Sequence, residues 1–100
     1  MRLTDTQVDA IKDAVAEVLG PDARVYLFGS RVDDSRRGGD IDLYIEVHAP
    51  PMPGWLEAKV ALQRCLWERL GPQRIDLLIR SDEQPLRPIH RDALQQGVRL

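Results

Sequence analysis

The stretch from Phe28 to Leu43, FGSRVDDSRRGGDIDL, decides the fold of this chain. It joins a small-residue turn, Gly29-Ser30, to two carboxylates, Asp40 and Asp42, at the start of a predicted strand. Side chains at positions i and i+2 of a strand point to the same face, so these carboxylates lie roughly 6.5–7 Å apart along it. Because neighbouring carboxylates repel each other, this pairing predicts a bound divalent cation that takes oxygen ligands.

Hydrophobic periodicity predicts a two-layer α/β arrangement around this strand, in the order α-β-β-α-β-α. The first helix begins at Thr4, which forms a capping box with Gln7, and ends at Gly20. Strands are predicted over residues 24–28, 40–47 and 74–80, and further helices over residues 55–70 and 89–96. The apolar residues of each strand are expected to face the helices, which leaves the polar residues on the opposite face.

The third predicted strand, RIDLLIR, adds one more carboxylate to that polar face. Ile75 and Leu77 point toward the helices, so Asp76 joins Asp40 and Asp42 on the other side. Three carboxylates suit two Mg²⁺ ions about 3.5–4 Å apart, which would clamp the attacking and leaving oxygens of a phosphoryl displacement. An ordinary surface role for Asp76 remains an alternative.

The turn after the first strand supplies candidate phosphate contacts. Gly29 lets a phosphate approach the backbone closely, and the Ser30 hydroxyl can donate a hydrogen bond to it. Arg31 offers a planar guanidinium fork. Ser30 could instead be only a turn former. Tyr44 shares the polar face, where it could pack in the fold or flank a nucleotide.

The composition bounds the class of protein. One hundred residues, 43% of them hydrophobic, predict a single domain over residues 1–100. A net charge of −2 argues against direct binding of nucleic acid. The single cysteine, Cys65, fits a reducing compartment, and no apolar run approaches the roughly 18 residues of a membrane span. We therefore expect a cytoplasmic protein without a membrane partner.

The motif resembles that of the minimal nucleotidyltransferase family in the DNA polymerase β-like superfamily. Its signature is Gly-Ser, a loop, Asp-x-Asp and a later aspartate, here Gly29-Ser30, Asp40-Ile41-Asp42 and Asp76. The resemblance implies a small mixed sheet with helices on one face. It also implies that the two Asp-x-Asp carboxylates bind Mg²⁺, with Asp76 as third ligand or nearest the attacking hydroxyl. Gly29 and Ser30 would hold ATP, with Arg31 nearby. Gly39 departs from the family pattern, because many relatives carry serine there.

The resemblance further implies a partner. Relatives of this size resemble antitoxins that form a hetero-oligomer with a helical HEPN-type RNase toxin. The implied reaction is Mg²⁺-dependent transfer of AMP from ATP to a hydroxyl of the toxin, in particular a tyrosine. The alternative is a non-catalytic antitoxin that neutralises its toxin sterically. Retention of all three aspartates favours the enzyme, and the small size of the chain favours dependence on a partner that presents the acceptor.

Overall fold

The computed structural model describes residues 3–28, 41–51, 54–71 and 74–100. Its elements follow the predicted order and add a short final strand. They are α1 (Asp5–Leu19), β1 (Arg24–Phe28), β2 (Ile41–Val47), α2 (Trp55–Leu70), β3 (Ile75–Ser81), α3 (Pro88–Gln96) and β4 (Val98–Arg99). Within these described ranges, no helix is both long enough and apolar enough to cross a membrane.

The four strands form one mixed sheet in the order β3-β2-β1-β4. β1 pairs antiparallel with β2 and with β4, whereas β2 and β3 are parallel. Parallel neighbours need a crossover connection, which α2 provides. β3 is therefore an edge strand of the sheet formed by the described residues.

The hydrophobic core lies between one face of the sheet and the helices α1 and α2. Ile41, Leu43 and Ile45 of β2 are fully buried there, as are Leu62 and Leu66 of α2. This confirms the predicted alternation, because the apolar residues at odd positions of β2 all point into one cluster. Residues at even positions of β2 consequently point to the other face, which carries the candidate site.

The start of α1 has the predicted capping box. The Thr4 hydroxyl accepts a hydrogen bond from the Gln7 backbone N–H at 3.1 Å, and the Gln7 side chain accepts one from the Thr4 N–H at 2.9 Å. These bonds satisfy two backbone donors that a helix terminus otherwise leaves unpaired. The helix ends at Gly20 with φ 98°, a conformation that favours glycine.

The third helix differs from the expectation that helices cover only one face. The imidazole of His90 in α3 stacks on the ring of Tyr44, with the ring centroids 5.6 Å apart. Tyr44 points away from the core, so α3 covers part of the face that carries the aspartates. Tyr44 is fully buried as a result, which excludes the alternative that it flanks a nucleotide.

Gly97 allows the chain to turn from α3 directly into β4. A Cβ atom at this position would lie 2.2 Å from the Ala93 carbonyl oxygen and 3.1 Å from that of Leu27. The glycine therefore permits a close backbone approach rather than a left-handed conformation. It brings Val98 into register with Leu27 and fixes α3 against the sheet.

Candidate active site

Two of the predicted carboxylates lie side by side in the structure. Asp42 and Asp76 are direct partners in the parallel ladder of β2 and β3. Neighbouring strands are about 4.8 Å apart, and both side chains point away from the core because their strand neighbours Ile41 and Ile75 point into it. The prediction that Asp76 shares a face with Asp42 is thus confirmed.

The surroundings of the two carboxylates differ. Asp42 is half-buried, whereas Asp76 is exposed to solvent. Phe28, the last residue of β1, pairs with Asp42 on the opposite side of β2. β1 therefore ends beside this aspartate, and Gly29 and Ser30 follow it directly in sequence.

The other predicted site residues are outside the described part of the chain. Gly29, Ser30, Arg31 and Asp40 belong to this group, so their predicted roles in phosphate and metal binding stay predictions. Among the residues that are described, no group of three or more His, Cys, Asp or Glu side chains is arranged to hold a metal ion.

The described carboxylates nevertheless fit part of a magnesium site. Asp42 and Asp76 offer oxygen donors from adjacent strands, and Mg²⁺ is commonly held by one or two protein carboxylates together with phosphate oxygens and water. The pair is therefore compatible with binding of a metal–nucleotide complex rather than of the metal alone.

The electrostatics of this pair lead to a stability prediction. Like charges directly opposite each other on neighbouring strands destabilise a sheet, and Asp76 is exposed. Without divalent metal, Asp76→Asn should therefore leave the melting temperature unchanged or raise it. Differential scanning fluorimetry in EDTA measures this, with Asp92→Asn on the exposed side of α3 as the matched control. A clear drop for Asp76→Asn alone would show that its carboxylate is a structural group.

A buried polar cluster lies further along the same face of the sheet. Glu46 and Arg80 are partners in the β2–β3 ladder, and an Arg80 Nη2–H donates to Glu46 Oε2 at 2.9 Å. The Tyr44 hydroxyl donates to the same carboxylate oxygen at 2.8 Å and accepts from Arg80 Nε at 2.9 Å. The three side chains form a closed set of hydrogen bonds, which fixes the pairing of β2 with β3 four residues along the strands from the aspartates.

The cluster is anchored at both ends. Arg80 Nη1 also donates to the carbonyl oxygen of Ser81, the last residue of β3, and to that of Gln84 in the loop that follows. At the other end, Arg24 Nε lies 3.4 Å from Glu46 Oε1, and Arg24 Nη2 donates to Asp82 Oδ1 at 2.8 Å. The same polar network therefore ties β1, β2 and β3 to the loop before α3.

Burial and hydrogen bonding shift the pKa values in this cluster. Burial is the main cause that raises the pKa of Tyr44 to about 12, so its hydroxyl stays protonated. Burial alone would raise the pKa of Glu46, but hydrogen bonds from Arg80 and Tyr44 outweigh it and hold that pKa below its ordinary value. The cluster consequently keeps one anion and one cation in contact at neutral pH.

His90 is expected to make the stability of the fold depend on pH. Its pKa is lowered from 6.5, first by burial and then by the nearby cations Arg80 and Arg87. Its Nδ1 accepts a hydrogen bond from the Arg87 backbone N–H at 3.0 Å, which requires an unprotonated nitrogen. Below pH 6.5 the unfolded chain binds a proton that the folded chain excludes, so stability should fall as pH drops through this range.

The variant His90→Gln tests this expectation. Glutamine at the third helical position can accept the same backbone N–H but does not titrate. Urea unfolding between pH 7.5 and 5.5 should show a decline for the wild type and a flatter profile for the variant, which also loses stability at every pH because the Tyr44 stacking is gone. Identical slopes for the two proteins would refute the role given to His90.

Sequence reasoning missed the Glu46–Arg80 cluster, although part of its signal was present. The alternation that places Asp42 on the polar face places Glu46 there too, and the same holds for Asp76 and Arg80. What the sequence does not show is the register between β2 and β3, which aligns residues 34 positions apart in the chain.

The architecture and the motif now define the class of protein. The mixed α+β arrangement with its carboxylates on one face of the sheet is consistent with the nucleotidyltransferase fold. The chain belongs to the nucleotidyltransferase domain family, whose family model matches residues 8–98. Membership supports a general nucleotidyl transfer activity, and such domains generally use a nucleoside triphosphate and a divalent metal ion. No curated protein sequence matches the chain significantly.

Proposed function

We propose that this protein transfers AMP from ATP to a hydroxyl, in particular a tyrosine, of a helical HEPN-type toxin and thereby acts as its antitoxin. The observation that carries the chemistry is the in-register pair Asp42 and Asp76 on the polar face of the sheet. The family match over residues 8–98 supports nucleotidyl transfer as the reaction class. The acceptor and the antitoxin role rest on the resemblance of the Gly-Ser and Asp-x-Asp motif to minimal nucleotidyltransferases.

The proposed reaction assigns a separate task to each group. Asp40 and Asp42 would hold Mg²⁺, which when bound neutralises charge on the phosphates. Asp76 is exposed beside Asp42, where it can act as a further metal ligand or accept the proton of the attacking hydroxyl. The hydroxyl oxygen forms the new bond to the α-phosphorus, and the bond to the pyrophosphate oxygen breaks. Gly29, Ser30 and Arg31 would hold the phosphates of ATP.

Positioning must account for much of the rate in this scheme. Phosphoryl transfer depends mainly on alignment and on charge stabilisation, since the protein itself does little covalent chemistry. Asp76 lies on edge strand β3, so an acceptor carried by another protein can approach it from outside the sheet. The proposal therefore requires a docked partner.

Co-expression with the proposed toxin, followed by intact mass analysis of the toxin, tests this function. The expected result is a mass gain of one or more AMP units with the wild type and none with Asp42→Asn. Asp9→Asn, which removes an exposed carboxylate from α1, is the matched control and should modify the toxin fully. Neutralisation of the toxin by Asp42→Asn, with no modification by any variant, would instead favour the steric antitoxin.

A further inference from the structure

An exposed apolar surface on α2 has no role in the proposed chemistry. Leu56, Val60 and Trp67 are 70%, 50% and 46% exposed, although they belong to a helix whose other side is core. Together with Ile75 they line a groove of about 530 Å³, which we call the α2 groove. Most large apolar side chains of α2 thus lie either in the core or in an outward-facing stripe formed by Leu56, Val60 and Trp67. An exposed apolar stripe of this kind is a place where a partner can bind.

The spacing of the stripe fits a helical partner. Leu56, Val60, Gln63 and Trp67 follow one another at intervals of four, three and four residues. This spacing aligns side chains along one side of a helix and is the pattern with which two helices pack against each other. The α2 groove therefore presents its apolar side chains along one side of α2, as in the packing of two helices.

The charges around the groove determine the character of that partner. Lys59 and Arg64 line it and are both exposed, and no carboxylate is among the described residues that line it. A helix with carboxylates beside its apolar stripe would pair with these cations. A second copy of the chain fits poorly, because two-fold pairing through the groove brings the Lys59 and Arg64 cations of the two copies together.

We propose that the α2 groove docks an amphipathic helix of the acceptor protein, with carboxylates flanking the apolar stripe of that helix. The inference rests on the proposed function for the identity of the partner. Ile75 connects the two sites, because it lines the groove and directly precedes Asp76 on the edge strand. A helix seated in the groove thus holds its protein at the sheet edge from which Asp76 is reached.

Binding of two synthetic helical peptides tests the docking surface without any catalytic step. Both carry leucine at positions i, i+3, i+4 and i+7, and one has glutamate and the other lysine at the flanking positions. By fluorescence anisotropy the glutamate peptide should bind the wild type at least about tenfold more tightly, a difference of about 1.4 kcal/mol. Leu56→Glu/Val60→Glu should lose this binding, and Lys59→Glu/Arg64→Glu should reverse the preference between the peptides.

The control variant carries the same change elsewhere on the surface. Ile89→Glu alters an apolar residue of α3 that is 54% exposed and should bind the glutamate peptide like the wild type. Circular dichroism checks that each variant folds. Equal affinity for the two peptides, or unchanged binding by Leu56→Glu/Val60→Glu, would overturn the proposal. Self-association in sedimentation velocity that Leu56→Glu abolishes would also overturn it, because a second copy would then occupy the groove.

The docking proposal and the proposed function can fail separately. Asp42→Asn should bind the glutamate peptide normally, because Asp42 lies on the other face of the sheet. If the wild type transfers no AMP to the toxin but binds the glutamate peptide normally, only the proposed function is rejected. Undiminished AMP transfer to the toxin by Leu56→Glu/Val60→Glu would reject only the docking surface.

Discussion

Asp42→Asn is expected to reduce AMP transfer to the partner protein by at least about 10³-fold. A bound metal ion contributes several kcal/mol of charge stabilisation to phosphoryl transfer, and each ~1.4 kcal/mol changes the rate tenfold. Asparagine keeps the size of the side chain but removes the charge that would hold the metal. Single-turnover transfer of labelled AMP from ATP in the presence of Mg²⁺ measures the loss.

Two further variants are compared with Asp42→Asn: Asp76→Asn changes the neighbouring carboxylate, and Asp9→Asn is the control. Asp76→Asn should slow transfer strongly while the complex with the partner still forms, because it removes a group beside the attacking hydroxyl rather than the docking surface. Asp9→Asn should transfer AMP at the wild-type rate. Wild-type rates for Asp42→Asn would exclude this carboxylate from the chemistry.

The second large effect concerns stability rather than activity. Glu46→Ala should lower the free energy of unfolding by about 3 kcal/mol, because it leaves the buried Arg80 guanidinium without its anion. Tyr44 would also lose the carboxylate to which its hydroxyl donates. Urea denaturation monitored by circular dichroism measures the change, and the exposed substitution Glu68→Ala on α2 should stay within about 0.5 kcal/mol of the wild type.

A double variant separates the ion pair from simple loss of packing. Glu46→Leu/Arg80→Met removes both charges and replaces them with apolar groups of similar size, so it should be clearly more stable than Glu46→Ala. If the double variant is the less stable of the two, the loss in Glu46→Ala cannot be assigned to an unpaired cation.

Local sequence patterns predicted much of this fold. The capping box of Thr4 and Gln7 involves residues three apart, and strand alternation depends only on neighbours along one strand. Each of these signals is contained in a short segment of the chain. They therefore predicted where α1, β1 and α2 begin and end, and on which face of the sheet Asp42 and Asp76 lie. The same alternation predicted the place of Asp40, and the chemistry of Gly29, Ser30 and Arg31 predicted their phosphate contacts, but these four residues lie outside the described part of the chain.

Features that depend on distant packing could not be predicted in the same way. β4 has only two residues and is placed by the close approach of Gly97 to Leu27, which no periodicity signals. The docking of α3 on the polar face, where His90 covers Tyr44, depends on how a helix near the end of the chain packs against a strand some forty residues earlier. Local patterns therefore placed the carboxylates but not the helix that shares their face.

Titration calorimetry with ATP and Mg²⁺ tests the central claim most directly, namely that Asp42 belongs to a metal–nucleotide site. The wild type should bind ATP in the presence of Mg²⁺ much more tightly than in EDTA, because phosphate oxygens complete the metal coordination. Asp42→Asn should lose this Mg²⁺-dependent gain, whereas Asp9→Asn should keep it. Equal Mg²⁺-dependent binding by the wild type and Asp42→Asn would contradict the account.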